Sequence, residues 1–272
     1  MFIVSHTARV ILEALETGLD EVEISLDLGL TRERLRVRTC GITVDQLRQI
    51  SEDSDSIYFK TPDGVFMAAI RGEHFYKLFP TGPDHPPALM IDGVLMHRIK
   101  DIDPLGDARL KARHIPAHCS DVLDICTGLG YSALACIERG VQRVVTIERD
   151  PNVMSLARLN PWSRKLFDDD RVSIVVGDAV EEVARLEDER FCAVLHDPPR
   201  FGHAPSLYRI EFYSEIRRVL KPSGVLFHYV GSPGSRFRST DVQKGVMNRL
   251  RSVGFVDIRR DVDTLGVVAR KP

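Results

Sequence analysis

The sequence predicts an α/β fold: a doubly wound, mostly parallel seven-stranded sheet preceded by a small, mostly β amino-terminal domain. Two observations indicate this architecture. From about Asp121 onward, apolar β-branched runs alternate with helical patterns across short connections, which is typical of a parallel sheet with helices on both faces. Near the end, the strand-like runs 255–262 and 265–269 are separated only by a turn, so we expect an antiparallel hairpin at the sheet edge.

The amino-terminal part has a less regular pattern. The run "SHTARVILEALETG" predicts a helix that begins behind Ser5 or Thr7 as the cap and ends at Gly18. Four further runs predict short strands, the third of which folds back at the turn sequence "TPDG": "EVEISLDLG", "RLRVRT", "SIYFKTPDGVFMAAI" and "ALMIDGVLMH". We therefore expect two domains, 1–115 and 116–272, with the joint in "KARHIPAHCSD".

Composition limits the classes of function. At 272 residues and 43% hydrophobic, the chain can bury one good-sized core and a smaller second one. A formal net charge of -2 gives no overall attraction to nucleic acid or acidic membranes. A local nucleic-acid patch stays open in "GSRFRSTDVQK", where Arg236, Phe237, Arg238 and Lys244 lie close in sequence.

No segment of the sequence suggests a membrane or a metal. Apolar runs are too short to span a bilayer, and the amino terminus lacks a signal pattern, so we expect a cytoplasmic protein without a membrane partner. The five cysteines form no CxxC pair and do not alternate with histidine. We therefore expect neither a metal site nor a disulfide framework.

Two glycines, Gly128 and Gly130, lie between the first strand of the predicted sheet and the following helix, in "DVLDICTGLGYSAL". Glycine permits backbone torsions and a close approach that a side chain would block. A pyrophosphate-binding fingerprint needs a third glycine, which this loop lacks, and Asp124 on the strand would repel phosphate. The same carboxylate suits a cationic amino-acid group, so the loop predicts a nucleoside site without phosphate.

Acidic residues also follow the next two strands. The run "VVTIERD" ends the second strand at Glu148, which is well placed to accept hydrogen bonds from two ribose hydroxyls. The run "VVGDAV" ends the third strand at Asp178, whose carboxylate could accept from an exocyclic amine of adenine. The order of these residues along successive strand ends predicts a cofactor that contains adenosine.

From about Asp121 to the carboxyl terminus, the sequence resembles the class I S-adenosylmethionine-dependent methyltransferases, which have a Rossmann-like fold. The usual first motif of that superfamily is an acid followed by G-x-G-x-G, and "DICTGLG" keeps Asp124, Gly128 and Gly130 with Cys126 at the first glycine position. The resemblance implies S-adenosylmethionine as the cofactor, with its methionine amino group near Asp124, its ribose on Glu148 and its adenine on Asp178 and Ala179. The expected cofactor-binding residues are Asp124, Cys126, Thr127, Gly128, Gly130, Tyr131, Glu148, Arg149, Asp178 and Ala179.

A narrower resemblance rests on four short stretches: "DICTGLGYSA", "NPWSRKL", "HDPPRF" and "HYVGSPG". They are similar to a family of predicted archaeal methyltransferases with a small amino-terminal domain. That family has no settled substrate, so this likeness adds to the expected fold and cofactor only. Trp162 in the second stretch is open to two interpretations, a contact with adenine or substrate and a place in the core.

The stretch "AVLHDPPRFGH" predicts a buried strand that ends in a rigid corner, because two consecutive prolines can continue neither a strand nor a helix. In methyltransferases of exocyclic or amide nitrogens, a similar corner with an aromatic residue holds the target amine. The resemblance implies that Asp197 and the Pro198 carbonyl accept the amine hydrogens here. Arg200 replaces the aromatic residue, which favours an anionic or planar acceptor, and a salt bridge from Arg200 to Glu211 stays open as the alternative.

Histidines near this corner are candidates for moving a proton, among them His196, His203 and His228. We take His228 as the candidate; the alternative is that it only completes hydrogen bonds in the pocket. The expected catalytic residues are Asp197, Pro198, Arg200 and His228. Covalent C5 methylation of uracil is excluded, because the strand after the corner carries no cysteine.

The sequence therefore predicts an S-adenosylmethionine-dependent methyltransferase that acts on nitrogen of an unidentified acceptor, which can be RNA, protein or a small molecule. Two alternatives stay open. One is an aminopropyltransferase of polyamine synthesis, for which Arg200 beside Asp197 is unfavourable. The other is a cofactor-binding subunit without turnover, and the oligomeric state is open in all three cases.

Overall fold

The computed structural model describes residues 1–117, 119–231 and 241–272. The candidate patch residues Arg236, Phe237 and Arg238 lie outside this described part. The chain divides into two compact units, residues 1–104 with 152–164 and residues 105–151 with 165–272. The second unit begins at Leu105, before the domain boundary expected at 115/116.

The first unit is built from short antiparallel strands and two helices. The strands pair in the orders β1-β4-β5, β2-β3 and β6-β7-β8-β9. Their bounds and those of the helices are β1 (Phe2–Ile3), α1 (Ser5–Thr17), β2 (Glu21–Ile24), β3 (Glu33–Arg36), α2 (Val44–Glu52), β4 (Tyr58–Thr61), β5 (Gly64–Met67), β6 (Ala69–Arg71), β7 (Phe75–Phe79), β8 (Ala88–Ile91) and β9 (Val94–Leu95). The "TPDG" turn joins β4 to β5 as predicted. Helices α1 and α2 bury Ile11 and Leu47 in the core of this unit.

The start of α1 differs from the prediction. The cap residue is Val4, which makes no side-chain cap hydrogen bond, so the prediction of Ser5 or Thr7 as cap is wrong. Ser5 is already helical, and its hydroxyl donates to the Ser51 carbonyl at 2.8 Å. The predicted end is confirmed, because Gly18 follows the helix with φ 75°, a left-handed conformation that glycine adopts without steric cost.

The second unit contains the predicted seven-stranded sheet, with strand order β12-β11-β10-β13-β14-β16-β15. Its elements are α3 (Pro104–Ala112), β10 (Asp121–Ile125), α4 (Tyr131–Glu138), β11 (Arg143–Glu148), α5 (Pro151–Leu159), α6 (Arg164–Asp168), β12 (Val172–Val176), α7 (Ala179–Ala184), β13 (Phe191–His196), α8 (Ile210–Val219), β14 (Leu220–Tyr229), α9 (Val242–Ser252), β15 (Val256–Asp261) and β16 (Gly266–Arg270). Most of α5, from Asn152 onward, is counted with the first unit.

Strands β12, β11, β10, β13 and β14 are parallel, and β15 and β16 form the antiparallel hairpin at the edge. The predicted fold class is therefore confirmed. The chain moves outward from β10 in one direction through β12 and then in the other through β13 and β14. Such a reversal opens a crevice at the carboxyl ends of the central strands, where ligands bind in this kind of sheet.

The core of the second unit covers one face of this sheet. Helix α8 places Phe212 and Ile216 there, with Tyr208 just before the helix, which confirms the interpretation of this stripe as core. Buried residues of β10 and β13, such as Leu123 and Val194, complete the packing. No helix within the described residues is long and apolar enough to cross a bilayer.

One disulfide, Cys119–Cys192, lies in the second unit, so the expectation of no disulfide is wrong for this pair. The two cysteines are 73 residues apart in sequence, which hid their proximity. Strand β13 pairs directly with β10, with Val122 opposite Ala193, and this brings Cys192 beside the residues that lead into β10. The free cysteines in the described part are Cys40, Cys126 and Cys136.

Candidate functional site

The candidate residues come from neighbouring parallel strands that end at one edge of the sheet. Ile125 at the end of β10 lies opposite His196 of β13, and His196 lies opposite His228 of β14. The residues that follow these positions are therefore close together. They include Cys126, Asp197 and Tyr229, and each strand end contributes a different polar group.

Asp124, on β10, has its carboxyl group fully buried. Its Oδ2 accepts a hydrogen bond from the Thr146 hydroxyl at 2.6 Å, and Thr146 in turn lies 2.6 Å from the Thr127 hydroxyl. Its Oδ1 has no hydrogen-bond partner among the described residues. Burial raises the pKa of Asp124 to about 7, although interactions with the hydroxyl groups of Thr146 and Ser132 oppose this shift. Thr146, a polar residue inside the apolar run "VVTIE", was not recognised from the sequence.

The loop between β10 and α4 contains three left-handed residues, Cys126, Gly128 and Gly130, with φ 75°, 54° and 81°. Among the described atoms, none lies within 4 Å of a Cβ added at Gly128. At Gly130 the same atom would meet the Leu166 side chain at 2.5 Å. Gly128 thus borders open space, whereas Gly130 allows the start of α4 to pack closely.

Glu148 at the end of β11 faces the same loop. Its two carboxylate oxygens accept from the backbone N–H groups of Gly128 and Asp150, each at 3.0 Å. Burial raises the pKa of Glu148, although these backbone hydrogen bonds oppose the shift. These contacts fix the carboxylate next to the glycine loop, where a ligand with two hydroxyl groups could share it.

The remaining cofactor candidates differ in their exposure. Asp178 caps α7 by accepting from the Val180 N–H at 2.8 Å, and Ala179 behind it is buried. Arg149 is exposed, with its Nη1 4.0 Å from Asp178 Oδ2. Tyr131 is buried as the first residue of α4. Trp162 belongs to the first unit, where its indole N–H donates to the Leu28 carbonyl at 3.0 Å.

The corner after β13 is held by backbone and side-chain hydrogen bonds. The Asp197 N–H donates to the Ile125 carbonyl at 3.2 Å, and the Tyr208 hydroxyl donates to the Pro199 carbonyl at 2.9 Å. Pro198 is buried and Arg200 is exposed. The ion pairs found in the described part of the chain do not include one between Arg200 and Glu211.

A cluster that was not recognised from the sequence surrounds Asp197. The Lys111 ammonium, from α3, lies 2.6 Å from Asp197 Oδ2, 2.8 Å from Asp107 Oδ2 and 4.2 Å from the centre of the Tyr229 ring. Burial lowers the pKa of Lys111, but the two carboxylates outweigh it and raise that pKa above its ordinary value. Lys111 is therefore an ammonium at neutral pH. The only sequence signal is the four-residue spacing of Asp107 and Lys111, which is common on exposed helix faces.

His228 lies under the corner in a buried polar network. Its Nε2 is hydrogen-bonded to the Tyr213 hydroxyl at 3.0 Å, and its ring stacks on His196 with 4.4 Å between ring centres. Burial lowers the pKa of His228 well below its ordinary value and that of His196 to about 3, so both are neutral near pH 7. A proton-accepting role for His228 stays a prediction. His203 is exposed.

Residues 122–224 match the family model of a methyltransferase domain. The chain is 43% identical to the Uncharacterized protein MJ1233 of Methanocaldococcus jannaschii over 98% of this chain and 95% of that protein. The chain therefore belongs to the same family as that protein, within the class I S-adenosylmethionine-dependent methyltransferase superfamily. The expectation drawn from "DICTGLG" is confirmed at this level.

Other relatives of this methyltransferase-superfamily protein are named as aminopropyltransferases. It is 28% identical to the polyamine aminopropyltransferase of Thermoplasma volcanium over 53% of this chain and 54% of that protein, so it spans about half of that relative. A spermidine synthase crystallised with the transition-state analogue AdoDATO has a TM-score of 0.61 at 22% identity, covering 75% of this chain and 73% of that structure. At this identity the likeness shows a shared fold.

S-adenosylmethionine is the cofactor of this superfamily, and the site has the features to hold it. Asp124 Oδ1 is a buried acceptor without a partner among the described residues, which suits the ammonium group of the methionine end. Gly128 borders open space beside Glu148, which suits a ribose. When bound, the cofactor supplies an electrophilic carbon attached to a positively charged sulfur.

Proposed function

We propose that this protein transfers the methyl group of S-adenosylmethionine to a nitrogen atom of an acceptor held by Asp197 and the carbonyl of Pro198. The observation that carries the proposal is the rigid corner after β13. Two prolines fix its backbone torsions. The bonds from Asp197 N–H to Ile125 and from Tyr208 to Pro199 hold it at both sides. The corner adjoins the residues that suit the cofactor, because Ile125 ends the strand that carries Asp124.

In this reaction the nitrogen lone pair forms a bond to the methyl carbon while the carbon–sulfur bond breaks and its electron pair stays on sulfur. Asp197 Oδ1 and the Pro198 carbonyl accept hydrogen bonds from the amine and thereby orient its lone pair. The methylated nitrogen then loses one proton to water. Alignment of the two reactants and exclusion of water account for most of the rate in such a displacement.

Aminopropyl transfer is the second candidate, and the named relatives support it. A carboxylate at the corner could bind a protonated amine of a polyamine. In this chain, however, Asp197 Oδ2 already contacts the Lys111 ammonium at 2.6 Å. This occupied position favours methyl transfer to an acceptor that brings no positive charge.

Calorimetry of the purified chain with three ligands separates the two candidates. We expect S-adenosylmethionine and S-adenosylhomocysteine to bind, and decarboxylated S-adenosylmethionine to bind more weakly. Glu148→Ala is the control and should weaken the binding of all three ligands, because their ribose loses its hydrogen-bond acceptor. Preference for the decarboxylated cofactor would instead support aminopropyl transfer, and no binding of any ligand would overturn both candidates.

The acceptor can be found with S-adenosylmethionine labelled in its methyl group. The enzyme is incubated with separate RNA, protein and small-molecule fractions, and the label is traced to a nitrogen by mass spectrometry. Asp197→Ala is the matched control, since it should retain cofactor binding and lose at least 100-fold in transfer, as expected when an aligning group is removed. Undiminished transfer by this variant would contradict the role of Asp197.

A further inference from the structure

Lys111 forms a cluster with Asp107, Asp197 and Tyr229, here called the ammonium cage. The side chains of Lys111 and Asp107 are 7% and 4% exposed, and that of Asp197 is 24% exposed. Its cation is therefore withdrawn from water, while one of its carboxylates stays accessible. The cage residues come from α3, from the end of β14 and from the corner that follows β13.

Two carboxylates and an aromatic face are the groups with which a protein binds a protonated amine. Carboxylates pair with the charge, and the ring attracts the cation through its face. In this chain the amine is supplied by Lys111 itself, at 2.8 Å and 2.6 Å from the two carboxylates and 4.2 Å from the ring centre. The lysine thus fills the position that a cationic ligand would otherwise take.

A free diamine would have to displace Lys111 before it could reach both carboxylates. Displacement would leave a buried ammonium without its partners, and an uncompensated buried charge is strongly unfavourable. The tethered lysine also has no translational entropy to lose, whereas a free amine does. Exposed Arg200 at the same corner adds a second positive charge against polycations.

An uncharged amine meets no such obstacle. Lys111 contacts Asp197 through Oδ2, and the described residues give Asp197 Oδ1 no hydrogen-bond partner. This oxygen can accept a hydrogen bond from an aromatic or amide nitrogen while Lys111 stays in contact with Oδ2. The cage therefore separates acceptors by the charge of their reacting nitrogen.

We propose that Lys111 is a specificity-determining residue, a built-in counter-ion that excludes polyamines from Asp197 and restricts the acceptor to nitrogens that are uncharged at neutral pH. This role of Lys111 rests on the proposed methyl transfer, and it specifies the chemical class of the acceptor. It assigns to Lys111 a role in choosing the substrate, beyond stabilising α3.

The test measures binding of putrescine and spermidine by calorimetry to the chain saturated with S-adenosylhomocysteine. We expect no diamine binding to the wild type at millimolar concentration, and at least tenfold tighter binding to Lys111→Met, whose two carboxylates are then open. Lys111→Arg is the matched control, because it keeps the positive charge and should exclude diamines like the wild type. The result that overturns the proposal is equal diamine affinity in the wild type and Lys111→Met.

A second variant guards against misfolding of Lys111→Met, which leaves Asp107 and Asp197 without the ammonium group between them. Asp107→Asn combined with Lys111→Met removes one charge of each sign, and it should gain diamine binding at Asp197 as well. Failure of this folded double variant to bind diamine overturns the proposal. The binding readout needs no group transfer, so it is independent of the proposed function. Absence of methyl transfer to any acceptor would refute the proposed function alone. Wild-type aminopropyl transfer from the decarboxylated cofactor to putrescine would refute both the proposed function and the exclusion by Lys111.

Discussion

The buried carboxyl group of Asp124 has one oxygen that is bonded within the protein and one that a ligand could contact. One oxygen is held by Thr146, and the other has no partner among the residues the structure describes. Burial raises its pKa to about 7, so the free protein holds a mixture of the protonated and ionised forms near neutral pH. An ammonium group from the cofactor would stabilise the ionised form, and binding would then release a proton.

Cofactor affinity should therefore increase with pH. With a pKa of about 7, the ionised fraction of Asp124 rises from about 3% at pH 5.5 to about half at pH 7.0, so we expect more than tenfold tighter binding. Over this range the cofactor ammonium stays protonated. Calorimetry at the two pH values, repeated in buffers of different ionisation heat, measures both the affinity and the released proton.

Asp124→Asn is the matched variant for this experiment. It should bind the cofactor weakly and with little dependence on pH. The folded pKa of Asp124 lies above its unfolded value, so its contribution to stability is present below about pH 4 and lost as the pH rises through 7. The variant should consequently unfold at the same or a higher temperature than the wild type at pH 8. A wild-type affinity that stays constant from pH 5.5 to 7.0 would contradict ionisation on binding.

The two glycines of the loop from β10 to α4 have different roles. Both are left-handed, which costs a residue with a side chain about 1–2 kcal/mol. A side chain at Gly128 would point into open space, whereas one at Gly130 would meet Leu166. The first glycine should therefore matter for the ligand and the second for the packing of α4.

The pair Gly128→Ala and Gly130→Ala tests this division. We expect Gly128→Ala to lower the free energy of unfolding by only about 1–2 kcal/mol, from the left-handed torsion, and to weaken cofactor binding at least tenfold. Gly130→Ala adds crowding against Leu166, so it should lower the free energy of unfolding by about 2–4 kcal/mol. For each variant, urea denaturation measures the free energy of unfolding and calorimetry measures the cofactor affinity. Wild-type cofactor affinity in Gly128→Ala would show that the open space is not the ligand site.

The elements that the sequence predicted well are those with a repeating local pattern. The runs that became β10, β11 and β13 are apolar and carry Asp124, Glu148 and Asp197 at or next to their carboxyl ends, which parallel pairing brings together. Lys111 was missed because its partner Asp197 lies 86 residues away and no local pattern records that contact. Its other partner, Asp107, has the spacing of an ordinary surface pair. Residues at neighbouring strand ends can thus be predicted from the sequence, whereas a buried charge on a helix distant in sequence cannot.

The disulfide is a second contact that no local sequence pattern records. Cys119 precedes β10 and Cys192 lies on β13, and only the pairing of these two strands brings the cysteines together. The segment between the two cysteines contains β10, β11 and β12, and with them Asp124, Glu148 and Asp178. A bond across this segment restricts the unfolded chain over a long loop, which stabilises the folded second unit.

Removing the disulfide should therefore lower the stability of the second unit. For Cys119→Ala combined with Cys192→Ala we expect a loss of about 2–4 kcal/mol in the free energy of unfolding, measured by urea denaturation under oxidising conditions. Reductant should lower the free energy of unfolding of the wild type by a similar amount and leave that of the double variant unchanged. Cys136→Ala is the matched control: this buried cysteine is free, so the variant should keep its response to reductant. Five alkylatable thiols in the oxidised wild type, together with no effect of reductant, would contradict the bond and with it this source of stability.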